Sequence, residues 1–542
     1  MAWWMVAAVF GVAGALVAPA GVAGAHAVLS ESNPRPGEVV QSLPAQIRLG
    51  FNEPVRAVPG KTVVVGPDGK RLNAGDPVPS ADGLSIRLRG ADQPTGTYVV
   101  SYRVISADSH PVSGSFTFSV GAPSAAPVAE VPVGTHPAVR VAVPAAKYAG
   151  YLGLVLLIGP MVMLAMWYPR RLPRRVPLRL ARAGLVTVAA STLAALWLQA
   201  PAASGAAPFD VSPAELRDVV ASPFGLILLG RLLALAAAAM LLGRLRRRPG
   251  WRLGSALTVT AVAGLSTWPL TGHPVAAPHA ALLVAADVLH LAAMGMWIGG
   301  LVALWAAVLR RADPRELRLI LPSWSRWAMI GVYWLVAAGL VQALVQLGGW
   351  SSLTGSGYGR AVVVKAGLVA AVLGVAAVSR RLVRRGSATA APARLRRAVG
   401  IEAAIAIVVL AVSAVLVQLT PGRTVDVEAA AAARARGFAT TLTSPLYAVQ
   451  FEVYPATVGE YNSFHAFVYT PEGKPLPVAE WTVTVALPEQ GIEPMANPVF
   501  TLTGNQGLGN ITFPMRGQWS LVITLRISDF DQATVTTPIA VT

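Results

Sequence analysis

Between residues 148 and 420 apolar residues run almost unbroken in eight blocks, whereas on either side they alternate with polar ones over short stretches. The blocks, at about 148–168, 185–206, 224–243, 253–272, 280–309, 327–348, 361–379 and 399–420, each approach the ~20 residues that a helix needs to cross a bilayer. Residues 26–120 read instead as short β-branched strands, among them QIRLGF, TYVVSYRVIS and GSFTFSVG, broken by Pro, Gly and Asp. That spacing predicts a small antiparallel sandwich or barrel. A second strand-rich region, with YAVQFEVYP, FHAFVYT, WTVTVALP and WSLVITLRI, fills 440–542. Stretches 121–147 and 422–439 show no clear period and read as linkers. The expected fold is thus a mixed multi-domain membrane protein: an all-β N-terminal domain, an eight-helix transmembrane bundle at 148–421 and a C-terminal β-sandwich.

The first 25 residues look like a secretory signal peptide, with an apolar stretch from Trp3 to Val17 and an A-x-A pattern at Ala23-Gly24-Ala25. A positive n-region is missing, and an uncleaved anchor helix is the alternative. Hydrophobic residues make up 54% of the chain and charged ones 13%, so the net charge of +18 rests on few positions. The arginines cluster between apolar blocks, at 170–182, 244–252, 310–326 and 380–397, while the loops between those hold only Arg217 and Arg360. Topology explains such a pattern and nucleic acid does not; by the positive-inside rule both chain ends face outward. An even number of spans agrees with an exported leader. With no cysteine, thiolate sites and disulfides are excluded, and any transition metal must be held by N, O or methionine sulfur.

Cleavage after Ala25 would make His26 the first residue. Its terminal amine and imidazole can then close a chelate ring on one ion, since an α-amine with a pKa of about 8 yields its proton to a strong Lewis acid near neutrality. The exported partner in the sequence is SADSHPVSGSFTFSV, where Asp108 and His110 lie two apart and in an extended strand face the same way. Amine, two imidazoles and a carboxylate form a tetragonal set suited to Cu(II). A lone D-x-H is more often a solvated pair or an Asx-type turn.

Ionisable residues inside membrane helices are costly, and each invites a functional reading. Here they are Arg231, Asp287, His290, Lys365 and Glu402. Lys365 and Glu402 stand near helix ends and are expected to snorkel. Arg231 and Asp287 lie at a shared depth of roughly 10 Å, which permits an ion pair. Asp287, His290 and Met294 share one helical face, and His273 and His279 stand at the mouth of the fourth and fifth spans. Together they sketch a path for a soft cation: His273 and His279, then His290, then Met294. The bland alternatives are a histidine bonded to a neighbouring helix and a methionine filling a core gap.

The segments HAVLSESNPRPGEVVQSLPAQIRLGFNEPV and GTYVVSYRVISADSHPVSGSFTFSVG closely resemble the periplasmic copper-binding CopC family. The match rests on H-A-x-L, S-x-P-x-x-G, the F-x-E-P-V turn at Phe51 to Val55, and D-x-H-P-x-x-G. It implies a Greek-key β-barrel with Cu(II) held by His26, Asp108 and His110. No methionine lies between His26 and Pro160, so the methionine-rich Cu(I) site of some members has no counterpart. LHLAAMGMWIGGL, SGYGRAVVVKAGLVAAVLG and VGIEAAIAIVVLAVSAVLVQLTP resemble the inner-membrane partner family CopD, and fusions in this order are a known arrangement. The tail is similar to YtkA-like domains at G-x-Y-N, Y-x-P-E-G-K-P and G-Q-W-S-L; its His465, Met495 and Met515 are more simply packing or loop residues.

The resemblance implies a non-enzymatic copper transporter with an attached acceptor, Cu(II) in the β-domain and Cu(I) in the membrane core, working inward across the cytoplasmic membrane. Its partners would be copper ions, the lipid bilayer and an extracytoplasmic copper chaperone or reductase. The alternatives are a membrane-anchored copper buffer and an oxidative copper enzyme; Asp108 counts against the last, because a carboxylate fills the position that oxygen would need.

Overall fold

The computed structural model describes residues 27–80, 83–90, 94–121, 124, 127, 134–247, 250–384, 392–425, 437–471, 474–501 and 504–541. The chain divides into two compact units, 1–427 and 428–542. The first begins with two sheets. One has the order β1 (Leu29–Asn33), β3 (Gln46–Phe51), β7 (Gly83–Arg87), β6 (Val78–Ser80). The other joins β2 (Val39–Val40), β9 (Pro111–Val120), β8 (Gly96–Ile105) and β4 (Arg56–Ala57), with β5 (Val63–Val65) also paired to β8. Apolar residues on alternate positions, including Ile47, Leu49, Ile86, Tyr98, Val100 and Phe118, close the core between them. All ten residues of β8 are buried, which a strand with one face to water would not show.

The helices that follow are α1 (Pro137–Met166), α2 (Arg175–Ser204), the short α3 (Pro213–Ala221), α4 (Pro223–Arg247), α5 (Trp251–Ser266), α6 (Ala280–Ala303), α7 (Pro314–Leu347), the single-turn α8 (Ser352–Gly355), α9 (Gly357–Arg384) and α10 (Pro392–Leu416). Among the described residues eight helices are long and apolar enough to span a bilayer, all but α3 and α8. α1 starts eleven residues before the expected 148. Pro137 at its first position needs no N–H partner, His136 caps it through Nδ1 from the Ala138 N–H at 3.2 Å, and Val139 is fully buried. The apparent linker is therefore helical from residue 137 onward.

α6 is the most enclosed span, and small residues bring its neighbours close. A Cβ added at Gly299 would lie 2.1 Å from the Val155 carbonyl oxygen of α1, and one at Gly159 would lie 2.0 Å from the Gly299 carbonyl carbon. Gly300 lies against Trp324 of α7, and Gly153 of α1 approaches the α2 backbone at Gly184. Backbones meet at this range only without side chains between them.

The second unit is a two-sheet β-fold. One sheet runs β10 (Phe438–Thr443), β11 (Ala448–Tyr454), β12 (Gly459–Tyr469), β16 (Gln506–Phe513), β15 (Val499–Thr501). The other runs β14 (Ile492–Asn497), β13 (Glu480–Leu487), β17 (Gly517–Arg526), β18 (Gln532–Val541). Strict alternation in β11 and β17 buries one face, and Phe464, Phe513 and Trp519 fill the core. His465 is half-buried beside the Phe467 ring, Met495 packs at the core edge and Met515 is exposed.

Candidate metal centre

β8 and β9 pair without a bulge from Gly96 opposite Val120 to Ile105 opposite Pro111. The five residues between them, Ser106 to His110, form a tight turn closed by Ser106 N–H to the His110 carbonyl at 3.0 Å and Ser109 N–H to the Ser106 carbonyl at 2.9 Å. Ser109 takes a positive φ of 74°, so Asp108 and His110 are not consecutive same-face residues of an extended strand. The turn itself sets them side by side. Asp108 Oδ1 accepts from the Ser106 hydroxyl and from the His110 N–H at 3.2 Å, which is the Asx-type geometry. Its other oxygen, Oδ2, lies 3.2 Å from His110 Nδ1. One carboxylate oxygen thus closes the turn and the other faces the imidazole.

A third donor comes from the membrane domain. His273, in the connection between α5 and α6, places Nε2 3.5 Å from Asp108 Oδ2, and the two imidazole rings stand 5.1 Å apart. One ligand atom from each of Asp108, His110 and His273 falls within a 4.8 Å group. Asp108 has no exposed surface and His273 is 6% exposed. His26 lies outside the described residues. Nitrogen and oxygen donors of this kind suit a borderline divalent cation such as Cu(II), and with no sulfur among them they favour a soft monovalent ion less.

The β-domain is held on the helices by a buried cation. Arg103, on β8, donates through Nε to the Ala203 carbonyl and through a terminal nitrogen to the Ala202 carbonyl at 2.8 Å. These are end carbonyls of α2, which an α-helix leaves without intrahelical donors and at its negative pole. Burial pulls the guanidinium below its ordinary pKa, though arginine stays charged at any physiological pH. Gln199 of α2 adds a bond from its side-chain amide to the Ser109 carbonyl at 2.9 Å, gripping the Ser106–His110 turn. The sequence offered a signal for Arg103, the one charge in the strand GTYVVSYRVI. For Ser106 and Gln199 it offered none beyond turn chemistry.

Beneath the turn a cavity of about 330 Å³ runs into the bundle, lined by Asp108, His110, Gln199, Lys147, Arg231 and Trp268 among others. Among the described residues no ion pair joins Arg231 to Asp287. Arg231 instead donates to the Thr267 hydroxyl at 2.8 Å and the Thr267 carbonyl at 2.9 Å, with its guanidinium 4.2 Å from the Trp268 ring centre. The physical reason is again a helix end: α5 stops at Ser266, and its last carbonyls need donors. Asp287 is half-buried on α6. Glu402 does not snorkel; it is 3% exposed, and the Ser379 hydroxyl bonds to it at 3.3 Å.

The residues of the sketched path have different surroundings. His273 joins the cluster, while His279 is exposed at the N-cap of α6 with a left-handed φ of 58°. His290 Nδ1 bonds the Leu335 carbonyl of α7 at 2.8 Å, and Met294 is buried in the bundle core. A carbonyl only accepts, so Nδ1 carries the proton and Nε2 keeps its lone pair.

Three family models match the chain: the CopC domain over 29–121, the copper resistance protein D-like N-terminal domain over 138–280, and copper resistance protein D over 318–416. The chain is 26% identical over 398 residues to the copper transport protein CutJ of Bacillus subtilis (strain 168), covering 71% of this chain and 72% of that one. To copper resistance protein C of Escherichia coli it is 34% identical over 104 residues, covering 18% of this chain and 82% of that one. The crystal structure of CopC from Methylosinus trichosporium OB3b is 26% identical, with 18% of this chain and 95% of that one covered and a TM-score of 0.16. This multi-pass membrane protein belongs to the copper resistance family, its CopC and CopD domains carried on one polypeptide.

Proposed function

We propose that the protein captures Cu(II) outside the cell through His26, Asp108 and His110 and moves copper inward across the cytoplasmic membrane. The observation that carries this reading is that the Asp108–His110 turn opens onto a cavity leading into the helix bundle. A metal bound there is already at the bundle's mouth. Deeper in, His290 offers a lone pair at Nε2 and Met294 a thioether one turn on, a pair suited to Cu(I). Passage in that form requires one electron from an external donor, which is the role left to a reductase partner.

A second reading, a copper buffer anchored by its helices, is favoured by one feature. Lys147 and Arg231 line the cavity below the site, and their charges oppose a descending cation. Copper uptake into copper-starved cells or proteoliposomes separates the two. Under the transport reading His290→Ala abolishes uptake, and His26→Ala raises the external copper needed for half-maximal uptake. Unchanged uptake on deleting the whole protein would sink transport and leave buffering. Mass spectrometry of the mature chain checks the remaining premise: a first residue other than His26 removes the amine chelate.

A further inference from the structure

We propose that His273 of the membrane domain ligates the same ion as Asp108 and His110, so that the metal centre is shared between the β-domain and the helix bundle. The proposal rests on the copper-binding reading above and adds a ligand from a different domain.

The geometry is that of donors around one ion. With metal–nitrogen and metal–oxygen bonds of about 2.0–2.2 Å, neighbouring ligand atoms stand roughly 3 Å apart and opposite ones roughly 4 Å. Asp108 Oδ2 lies 3.2 Å from His110 Nδ1 and 3.5 Å from His273 Nε2, and the three-residue group fits within 4.8 Å. Two imidazoles therefore converge on one oxygen of a carboxylate that has no exposed surface. A purely structural contact between domains needs only one of them.

His273 is also held in place from its own side. The 3-10 turn Pro269–Thr271 precedes it, with the Thr271 hydroxyl bonding the Trp268 carbonyl at 3.1 Å, and Pro274 follows. From the other side Arg103 on the α2 carbonyls and Gln199 on the Ser109 carbonyl press the turn of the β-domain against this loop. Each domain brings its ligand on a fixed backbone, which lowers the entropy lost when the ion is bound. The consequence for transfer is that an ion leaving the β-domain already has one bond to the membrane domain. It can pass by exchanging ligands without returning to water.

The test uses the full chain in lipid nanodiscs with Cu(II) alone, read by a competition titration for affinity and by pulsed EPR for the imidazoles on the ion. Losing a group that only supports a ligand costs 10–100-fold in metal affinity, so losing a ligand should cost at least about tenfold. His273→Ala and the bulk-retaining His273→Gln should each weaken binding by that much and remove one imidazole from the spectrum. His279→Ala, in the same loop but outside the cluster, should change neither. Arg103→Leu should weaken binding and lower the His273 imidazole signal while leaving every ligand in the sequence. If His110→Ala loses copper but both His273 variants keep affinity within twofold and an unchanged imidazole count, the shared site is wrong and the copper reading stands. If the wild type binds no Cu(II), or His110→Ala binds as the wild type does, the copper reading and this proposal fall together.

Discussion

Asp108 divides its two oxygens between two tasks. Oδ1 takes the Ser106 hydroxyl and the His110 N–H, which orient the carboxylate, and Oδ2 faces the imidazoles of His110 and His273. Support of this kind fixes a metal ligand's orientation and is worth 10–100-fold in affinity. Ser106→Ala should therefore weaken Cu(II) binding by about tenfold, the low end, because the backbone N–H remains. The midpoint of thermal unfolding without metal should hold, and a competition titration beside a melting curve measures both. A variant that binds copper as the wild type does would show that the turn alone orients Asp108. The sequence announced Asp108 and His110 through their spacing, though for the wrong reason, since Ser109 at positive φ replaces the expected extended strand. His273 was legible as a histidine at the mouth of the spans. Its approach to Asp108 was not, because that contact spans more than 160 residues and depends on how one domain docks on another.

Among the elements, the segment MGMWIGGL of α6 proves to be a packing surface. Gly295 lies against Ile158, Gly299 against the α1 backbone, and Gly300 against Trp324. Gly299→Val places new atoms where the Val155 carbonyl oxygen already stands, and overpacking of this kind costs about 1–3 kcal/mol. The expected outcome is a lower melting midpoint in detergent or a loss of folded protein on size-exclusion chromatography. Gly367→Ala on α9, with nothing within 4 Å of the added carbon, should melt as the wild type does or slightly above it. Equal behaviour of the two would mean that the α1–α6 approach is not tight. Long apolar runs made the eight spans readable, but their ends were not. The caps that set them, such as His136 with Pro137, lie in sequence without hydrophobic period. Arg231 taught the same lesson in reverse: depth suggested Asp287, whereas the unfilled carbonyls at the end of α5 were the nearer acceptors.

For the molecule as a whole, the uneven arginines predict the orientation in the membrane. The clusters at 170–182, 244–252, 310–326 and 380–397 alternate with loops holding Arg217 and Arg360 alone. Positively charged loops stay on the cytoplasmic side, so the His273 loop, the β-domain and the end of the chain should all be outside. The proposed metal centre needs the α5–α6 connection and the β-domain on one side, where His273 meets Asp108. Four spans separate the two, so the contact asks only for a shared side and the charges say which side it is. Reporter fusions test them together. Alkaline phosphatase, active only outside the cytoplasm, should be active when joined after residue 421 or after His279 and inactive after Arg311. A fluorescent protein that matures only in the cytoplasm should give the opposite pattern. Activity at Arg311 with none at His279 would invert the bundle and carry the β-domain and the His273 loop together to the cytoplasmic side, which would sink the capture of copper from outside.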